Sequence, residues 1–251
     1  MLVDTHCHLD AAEFDPDRGQ VIARARMAGV GAFVVPGVER KSFVNVLELC
    51  AAELACYPAL GIHPLYVEEA AFEDLDYLRE KALEVVAIGE IGLDFFVEHY
   101  DRGLQVDYFE AQLKIAREFD LPVLLHVRRS QDAILACLRK TKVKGGIAHA
   151  FNGSLQQAEE FIKLGFKLGF GGAMTYDRAT KIRHLAETLP LESIVLETDS
   201  PDMPPSFIGK NRNSPEFLPK IAEILANLRK IPVEEVAIAT TENAREVLEL
   251  E

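Results

Sequence analysis

The sequence lacks the features that mark several large classes of protein. It has no tryptophan, and its four cysteines, Cys7, Cys50, Cys56 and Cys137, form no CxxC pair. Such scattered cysteines are typical of buried thiols in a reducing compartment. No apolar run approaches the roughly 20 residues of a membrane span, and the first residues do not resemble a signal peptide. We therefore expect a cytoplasmic protein with no membrane contact, and nothing predicts an obligate protein partner.

Basic side chains are also scarce. The chain has 27 Lys and Arg against 40 Asp and Glu, a formal net charge of -13. This balance argues against a broad basic surface for duplex nucleic acid, although bound cations could still attract a phosphate substrate locally. A chain of 251 residues with 49% hydrophobic residues can bury a core without disulfides or a structural metal. Any metal in this protein is therefore expected to be catalytic.

Short apolar runs alternate with longer amphipathic segments along the whole chain. This alternation is typical of repeated βα units and a parallel sheet, and about eight strands can be counted, the number that closes a barrel. The predicted strands are residues 2–4, 32–36, 58–63, 85–90, 123–126, 146–149, 167–170 and 194–197. No Gly/Ser-rich linker or internal repeat interrupts them. We expect an α/β fold, a TIM-type (β/α)8 barrel, as a single domain over residues 1–251.

Local signals place some helix ends and one long loop. Ser154 and Gln157 have the spacing of a capping box. Ser214 and Pro215 are the expected N-cap and first residue of another helix. The proline-rich residues 200–214 after the last strand form a predicted loop, and long loops in compact folds are usually functional.

Most histidines fall at one predicted face of the barrel. Five of the seven lie in or just after the C-terminal end of a predicted strand: His6, His8, His63, His126 and His149. Active sites of closed βα barrels form at that face. His6 and His8, two residues apart in a strand, would project to the same side and could bind one ion, with Cys7 pointing away as a buried thiol. Together these histidines predict a metal site.

Two acidic side chains complete the predicted centre. Glu90 interrupts an apolar run, and a buried carboxylate needs a cation or donors. Asp199 follows the last strand, with Glu197 and Thr198 as weaker candidates nearby. Four histidines and two acids, without a thiolate, suit Zn, Mn, Co or Fe and leave Mg possible. They exceed the needs of one tetrahedral ion, but two ions roughly 3.5 to 4 Å apart would use them for hydrolysis, with Glu90 able to link both.

Several segments also carry a family resemblance that spans the chain. They are DTHCH at 4–8, GIHP at 61–64, GEIGLD at 89–94, residues 122–128, HAF at 149–151, ETDSP at 197–201 and RNSP at 212–215. As a set they resemble the TatD-type metal-dependent hydrolases of the amidohydrolase superfamily, in its YjjV-like branch. Many amidohydrolases bridge their metals with a carbamylated lysine, whereas the equivalent strand here ends in Glu90, as in the TatD arrangement.

The resemblance implies two divalent ions per subunit, Zn, Mn or Mg, and assigns their ligands. One ion would be held by His6, His8, Glu90 and Asp199, and the other by Glu90, His126 and His149. Characterised members resemble phosphodiesterases acting on DNA, often from the 3′ end. The implied activity is therefore that of a phosphodiesterase or deoxyribonuclease, with single-stranded DNA or a DNA end as the substrate.

In the expected mechanism, Asp199 and Glu90 are the catalytic residues, and Asp199 is the general base for an attacking water. Arg128 and Arg212 are candidates for binding phosphate, and His63 for binding substrate or ordering a metal ligand.

Two alternatives stay open at the level of sequence. The same barrel could hydrolyse a small amide, lactone or phosphoester, because function depends on the site and not on the fold. A non-catalytic metal-binding protein is the other alternative, against which stands Asp199, an acid that a purely structural site would not need.

Overall fold

The computed structural model describes residues 1–250 and contains a barrel of eight parallel strands. The strands are β1 Leu2–Asp4, β2 Val30–Pro36, β3 Cys56–Leu60, β4 Ala87–Asp94, β5 Val123–Arg128, β6 Gly146–Ala148, β7 Phe166–Phe170 and β8 Ile194–Leu196. Each strand pairs with the next one along the chain. Next to the ends of β1 and β8, Thr5 N donates to Leu196 O and Asp199 N donates to His6 O. The predicted TIM-type α/β barrel is therefore confirmed.

The α-helices surround this barrel. They are α1 Arg18–Ala28, α2 Phe43–Ala52, α3 Glu73–Lys81, α4 Arg102–Glu118, α5 Gln131–Lys140, α6 Leu155–Lys163, α7 Thr180–Thr188, α8 Leu218–Arg229 and α9 Val233–Leu248. None of these helices is long and apolar enough to cross a membrane within residues 1–250. The helices bury apolar faces against the strands in one continuous cluster.

A second apolar cluster fills the barrel interior and includes residues of the last helix. Val34, Leu124 and Val195 come from three different strands, and Ala244 and Leu248 of α9 belong to the same cluster. Asn243 Nδ2 donates to Ile194 O at the start of β8. Helix α9 therefore covers the N-terminal ends of the strands. A cleft into the barrel can open only at their C-terminal ends.

The predicted ends of two strands are wrong, since β3 already ends at Leu60 and not at residue 63, whereas Ser214 and Pro215 are confirmed as the N-cap and first residue of their helical segment. Strand β4 continues to Asp94, four residues past the predicted end at Glu90. Ser214 occupies the N-cap position, but its side chain makes no capping bond, and the segment begins as a 3-10 turn, Pro215–Phe217. Asn213 fixes the start of this segment in another way, because its Oδ1 accepts from Ser214 N at 2.9 Å.

The capping box of α6 is confirmed. Gln157 N donates to Ser154 Oγ at 3.1 Å, and Ser154 N donates to Gln157 Oε1 at 2.9 Å. Two N-H groups of the first turn are thereby satisfied.

Candidate metal centre

Glu90 lies at the middle of the polar cluster that the strand ends bring together. Its side chain comes from β4 and is buried. Glu90 Oε2 lies 3.2 Å from His6 Nε2 and 3.8 Å from His8 Nε2. Glu90 Oε1 faces three other imidazoles, at 2.9 Å from His126 Nδ1, 3.5 Å from His149 Nε2 and 3.5 Å from His63 Nε2. Each carboxylate oxygen therefore has its own set of nitrogen neighbours.

Asp199 closes the cluster on the side of β1 and β8. Its Oδ1 lies 3.5 Å from His8 Nε2 and 3.8 Å from His6 Nε2. The two histidines follow β1 instead of lying within it, so the predicted alternation along a strand does not explain their common direction. The bond from Asp199 N to His6 O, 2.8 Å long, ties the two segments together.

A buried acid that sequence reasoning missed supports this arrangement. Asp4 Oδ1 accepts from Thr198 N at 2.9 Å, and Asp4 Oδ2 accepts from Thr198 Oγ1 at 2.6 Å. Burial raises the pKa of Asp4 to about 7, although the bonds from Thr198 oppose the rise. The only sequence signal was an acid at the end of an apolar strand. Asp4 connects the segment that carries His6 to the segment that carries Asp199.

The charges in the cluster reinforce one another. Burial opposes ionisation of Glu90, but the imidazoles of His63, His6 and His149 outweigh it and hold its pKa well below the usual range. Burial likewise opposes ionisation of Asp199, and His149 and His8 lower its pKa. Both carboxylates are therefore ionised at neutral pH and available to a cation.

The pKa values of the histidines shift in different directions. Burial alone would lower the pKa of His149, but Asp199, Glu197 and Glu90 raise it to about 10. The pKa of His8 rises to about 9 for the same kind of reason, chiefly through Asp199. Burial lowers the pKa of His6 and keeps its ring neutral. A cation that binds His8 and His149 must therefore displace protons from them.

The donor set fits divalent cations. Three groups bring one donor atom from each member within 4.8 Å of one another: His6, His149 and Asp199; His6, His8 and Glu90; and His63, Glu90 and His126. Both ring nitrogens of the buried His6 lack a hydrogen-bond partner, which an ion at Nε2 would provide for one of them. Cys7 lies outside the set, because it is buried with Sγ 3.8 Å from Val34 O and burial raises its pKa. Nitrogen and oxygen donors without thiolate suit Zn, Mn and similar ions.

Two buried carboxylates lie close to the ring nitrogens of His126 and His149 that point away from Glu90. Asp94 Oδ2 lies 3.2 Å from His126 Nε2, and Glu197 Oε1 lies 3.3 Å from His149 Nδ1. Sequence reasoning ranked Glu197 as a weaker candidate and assigned no role to Asp94. The signal for Asp94 was its position at the end of an apolar segment, which was lost when the strand was ended at Glu90.

The two candidate arginines have different surroundings. Arg128 Nη1 lies 3.6 Å from Asp94 Oδ2, and its guanidinium lies 3.9 Å from the centre of the Phe96 ring, beside the cluster. Arg212 donates from Nη2 to Asp17 Oδ2 at 2.8 Å and from Nη1 to the backbone oxygen of Glu13. The structure therefore brings Arg128, but not Arg212, to the centre.

A cleft of about 700 Å³ opens over the cluster. His8, His63, Glu90, His126, His149 and Asp199 form part of its wall. Its rim towards β1, β2 and β8 is acidic and carries Asp10, Glu13, Asp15, Glu39 and Asp202. Arg128 and Arg129 lie beside Phe96, near the end of β5, where they supply positive charge.

The chain is similar in sequence and in fold to known metal-dependent hydrolases. The sequence model of the family described as TatD related DNase matches residues 3–249. The uncharacterized metal-dependent hydrolase YjjV of Escherichia coli (strain K12) is 41% identical over 246 residues, covering 96% of this chain and 95% of that protein. The crystal structure of the TatD homologue YjjV from Escherichia coli K12 aligns with a TM-score of 0.96 at 39% identity, covering 100% of this chain and 98% of that one.

A relative with a more specific name matches equally completely. The protein of Pantoea sp. (strain At-9b) named 3'-5' ssDNA/RNA exonuclease TatD is 35% identical over 266 residues, covering 99% of this chain and 100% of that protein. The chain therefore belongs to the TatD family of metal-dependent hydrolases and is similar to YjjV over its whole length.

Proposed function

We propose that this protein hydrolyses phosphodiester bonds of single-stranded nucleic acid, with DNA from its 3′ end as the principal substrate. The observation that carries the proposal is the position of Glu90, whose two carboxylate oxygens face two separate groups of imidazoles. A carboxylate so placed can bind two cations at once, and two-cation centres are typical of phosphodiester hydrolysis. The name of the Pantoea relative supports the nucleic-acid substrate.

The residues present would hold two divalent ions, Zn, Mn or Mg. His6, His8, Glu90 and Asp199 would hold one ion, and Glu90, His126 and His149 the other. When bound, such ions lower the pKa of water and neutralise negative charge on the attacked phosphate and the leaving oxygen. Glu90 keeps the two sets of ligands at a fixed separation, because its neighbours hold both of its oxygens.

The protein groups then move the proton and orient the phosphate. Asp199 is ionised and faces the cleft, so it can accept the proton of the attacking water as general base. Arg128 is half-exposed beside the cluster and can donate two N-H groups to a phosphate oxygen pair. Arg212 is left out of this role, because its donors already bind Asp17 and Glu13.

The distribution of charge favours one direction of approach. The acidic rim of the cleft repels a polyanion, whereas Arg128 and Arg129, whose guanidinium groups lie over the Phe96 ring, attract it. A duplex would bring two charged backbones against a protein with a net charge of -13. A flexible single strand can avoid the acidic rim, which supports the assignment of single strands.

Hydrolysis of end-labelled oligonucleotides tests the proposal. Purified protein is freed of metal, loaded in turn with Zn, Mn and Mg, and incubated with single-stranded DNA, single-stranded RNA and duplex DNA. We expect metal-dependent release of mononucleotides from the 3′ end of the single strand, and equal activity in His184→Gln, which removes an exposed histidine outside the centre. Intact oligonucleotides together with turnover of amides or lactones would establish the alternative hydrolase, and a metal-loaded protein inert to all substrates would indicate a non-catalytic role.

A further inference from the structure

Three imidazoles surround Glu90 Oε1, and their distances do not decide which of them bind an ion. His63, His126 and His149 each have one ring nitrogen within 3.5 Å of this oxygen. His63 and His126 even form a compact donor group with Glu90. A second-ion site could therefore be drawn with any two of the three rings. The partner of the other ring nitrogen separates them, because a neutral imidazole carries one proton and has one free lone pair.

His126 and His149 each have a buried carboxylate at the outer nitrogen. Asp94 Oδ2 lies 3.2 Å from His126 Nε2, and Glu197 Oε1 lies 3.3 Å from His149 Nδ1. Glu90 Oε1 faces the inner nitrogens and competes for the ring proton. When a cation takes the inner lone pair, the proton is left on the outer nitrogen, where Asp94 or Glu197 can accept it. The inner nitrogens, His126 Nδ1 and His149 Nε2, then present lone pairs to the centre. These two rings use opposite nitrogens. Asp94 is hydrogen-bonded to His126, whereas Glu197 lies close to His149 Nδ1 without the alignment of a hydrogen bond, so a small turn of the ring or the carboxylate is needed to form it.

Both carboxylates are firmly placed. Asp94 Oδ1 accepts from Phe96 N at 2.9 Å, which leaves Oδ2 for His126. Glu197 Oε1 accepts from Ala150 N at 2.5 Å, beside His149 in the sequence. The carboxylate of Glu197 also occupies space that only a glycine leaves open, since a side chain at Gly169 would collide with it. Both side chains are about 1% exposed, so water does not compete for their oxygens.

His63 has the opposite environment. Its outer nitrogen, Nδ1, accepts a hydrogen bond from Leu65 N at 3.1 Å. This bond uses the lone pair of Nδ1, so the proton of the neutral ring lies on Nε2, the nitrogen that faces Glu90. A nitrogen that carries a proton cannot ligate a cation, but it can donate to an oxygen in the cleft.

We propose that Asp94, Glu197 and the backbone N-H of Leu65 sort the three imidazoles into two metal ligands and one hydrogen-bond donor. Asp94 and Glu197 are positioning residues that hold His126 and His149 in the tautomers that bind the second ion. His63 is the donor, and it contacts a phosphate oxygen of the substrate. This inference rests on the proposed function for the identity of the substrate, whereas the sorting of the rings concerns metal binding alone.

Zinc affinity measured without any substrate tests the sorting. Each variant is titrated against a competing chelator and its bound zinc is counted. Asp94→Asn should weaken binding of the second ion by about 10- to 100-fold, because Phe96 N keeps the amide oxygen and the NH2 group then faces His126 and favours the wrong tautomer. Glu197→Ala should weaken it by a similar factor, because His149 Nδ1 loses its acceptor, whereas in Glu197→Gln the donor Ala150 N would keep the amide oxygen beside the ring. Glu39→Gln removes a carboxylate from the rim of the same cleft, where Glu39 is paired with Lys41, and should bind both ions as the unchanged protein does. Equal losses in Glu39→Gln would overturn the positioning role.

His63→Ala gives the sharpest contrast with the two proposed ligands. The variant should bind both zinc ions within about 3-fold of the normal affinity. His126→Ala and His149→Ala should each reduce the zinc affinity of the second site by a larger factor, because a ligand is missing. In the oligonucleotide assay His63→Ala should raise KM more than it lowers kcat. Loss of an ion from His63→Ala would show that His63 is a ligand and would refute the sorting.

Nitrogen NMR of the zinc-loaded protein covers the case in which a variant fails to fold. We expect the ring proton on Nε2 of His126, Nδ1 of His149 and Nε2 of His63, with zinc-coordinated nitrogens only in the first two rings. A zinc-coordinated nitrogen in His63 would overturn the inference. If the expected pattern is found but oligonucleotides stay intact, the proposed function fails while the sorting stands.

Discussion

Replacing Glu90 by glutamine perturbs the whole candidate centre through one atom. The isosteric change Glu90→Gln keeps one oxygen, converts the other to an NH2 group and removes the negative charge. Oε2 lies 3.2 Å from His6 Nε2, and Oε1 lies 2.9 Å from His126 Nδ1, so the amide must turn its NH2 group to one of these two sets. The set that keeps the oxygen still loses the charge. We therefore expect both ions to bind more weakly.

The expected loss follows from the number of ligands. A four-ligand zinc site in a small peptide contributes about 10 to 16 kcal/mol, or roughly 2.5 to 4 kcal/mol for each ligand. Because about 1.4 kcal/mol corresponds to a factor of ten, one lost ligand weakens binding by about 10²- to 10³-fold. Since Glu90 is nearly inaccessible to water, no solvent oxygen can readily replace the missing donor.

The measurement is zinc content after equilibration with buffered free zinc over several orders of magnitude. The unchanged protein should bind two ions per chain, and Glu90→Gln should require higher free zinc for both. Glu39→Gln is the matched control, because it removes the same charge from the cleft rim, where Glu39 is paired with Lys41. If Glu90→Gln lost one ion and bound the other with unchanged affinity, Glu90 would not bridge, and the assignment of two sites sharing one carboxylate would be refuted.

Three further predictions concern the base, the charges and the core. Asp199→Asn should keep the ion that His126 and His149 hold while kcat on oligonucleotides falls by about 10² or more, and a smaller loss would reduce Asp199 to a ligand. With metal removed by a chelator, the free energy of unfolding should fall as the pH rises from about 6.5 through about 10. The pKa of His149 is about 10 in the folded protein against 6.5 for an ordinary histidine, so its stabilising contribution is complete only below pH 6.5. Denaturant titrations between pH 7 and 10 that give constant stability would contradict this. Phe161→Ala should cost about 3 to 5 kcal/mol in denaturant unfolding, because Phe161 is fully buried against Phe151 and Phe166, whereas Leu155→Ala, exposed on the same helix, should cost less than about 1 kcal/mol.

The convergence of the centre was predictable from the sequence, although one reason was wrong. Parallel strands expose their C-terminal ends at one face, so residues near those ends meet whatever their distance along the chain. His6 and His8 were expected to share a side because strands alternate. In the structure they follow the strand, and the backbone bond between Asp199 and His6 holds their segment in place. His6 and His8 still lie together at this face, because they directly follow β1 whether or not the strand itself extends to them.

Residues outside the apolar pattern were harder to interpret. Asp94 was passed over because a strand of typical length would end near Glu90, whereas β4 runs for 8 residues. Arg212 was chosen because it lies in a long polar loop, but its partner Asp17 is 195 residues away in sequence. Local patterns cannot identify such distant partners.

By itself the sequence determined the alternation of strands and helices, the barrel that follows from it and the set of side chains proposed to bind metal. Hydrophobic periodicity and residue chemistry are local properties that the sequence shows directly. Because the C-terminal ends of all strands lie at one face of the barrel, a residue's position near a strand end also predicts where it lies. Only the tertiary structure decided which atoms of that set face one another. It placed Asp94 behind His126, Glu197 behind His149 and the N-H of Leu65 behind His63, because a ring nitrogen takes its role from the neighbour that the fold brings to it.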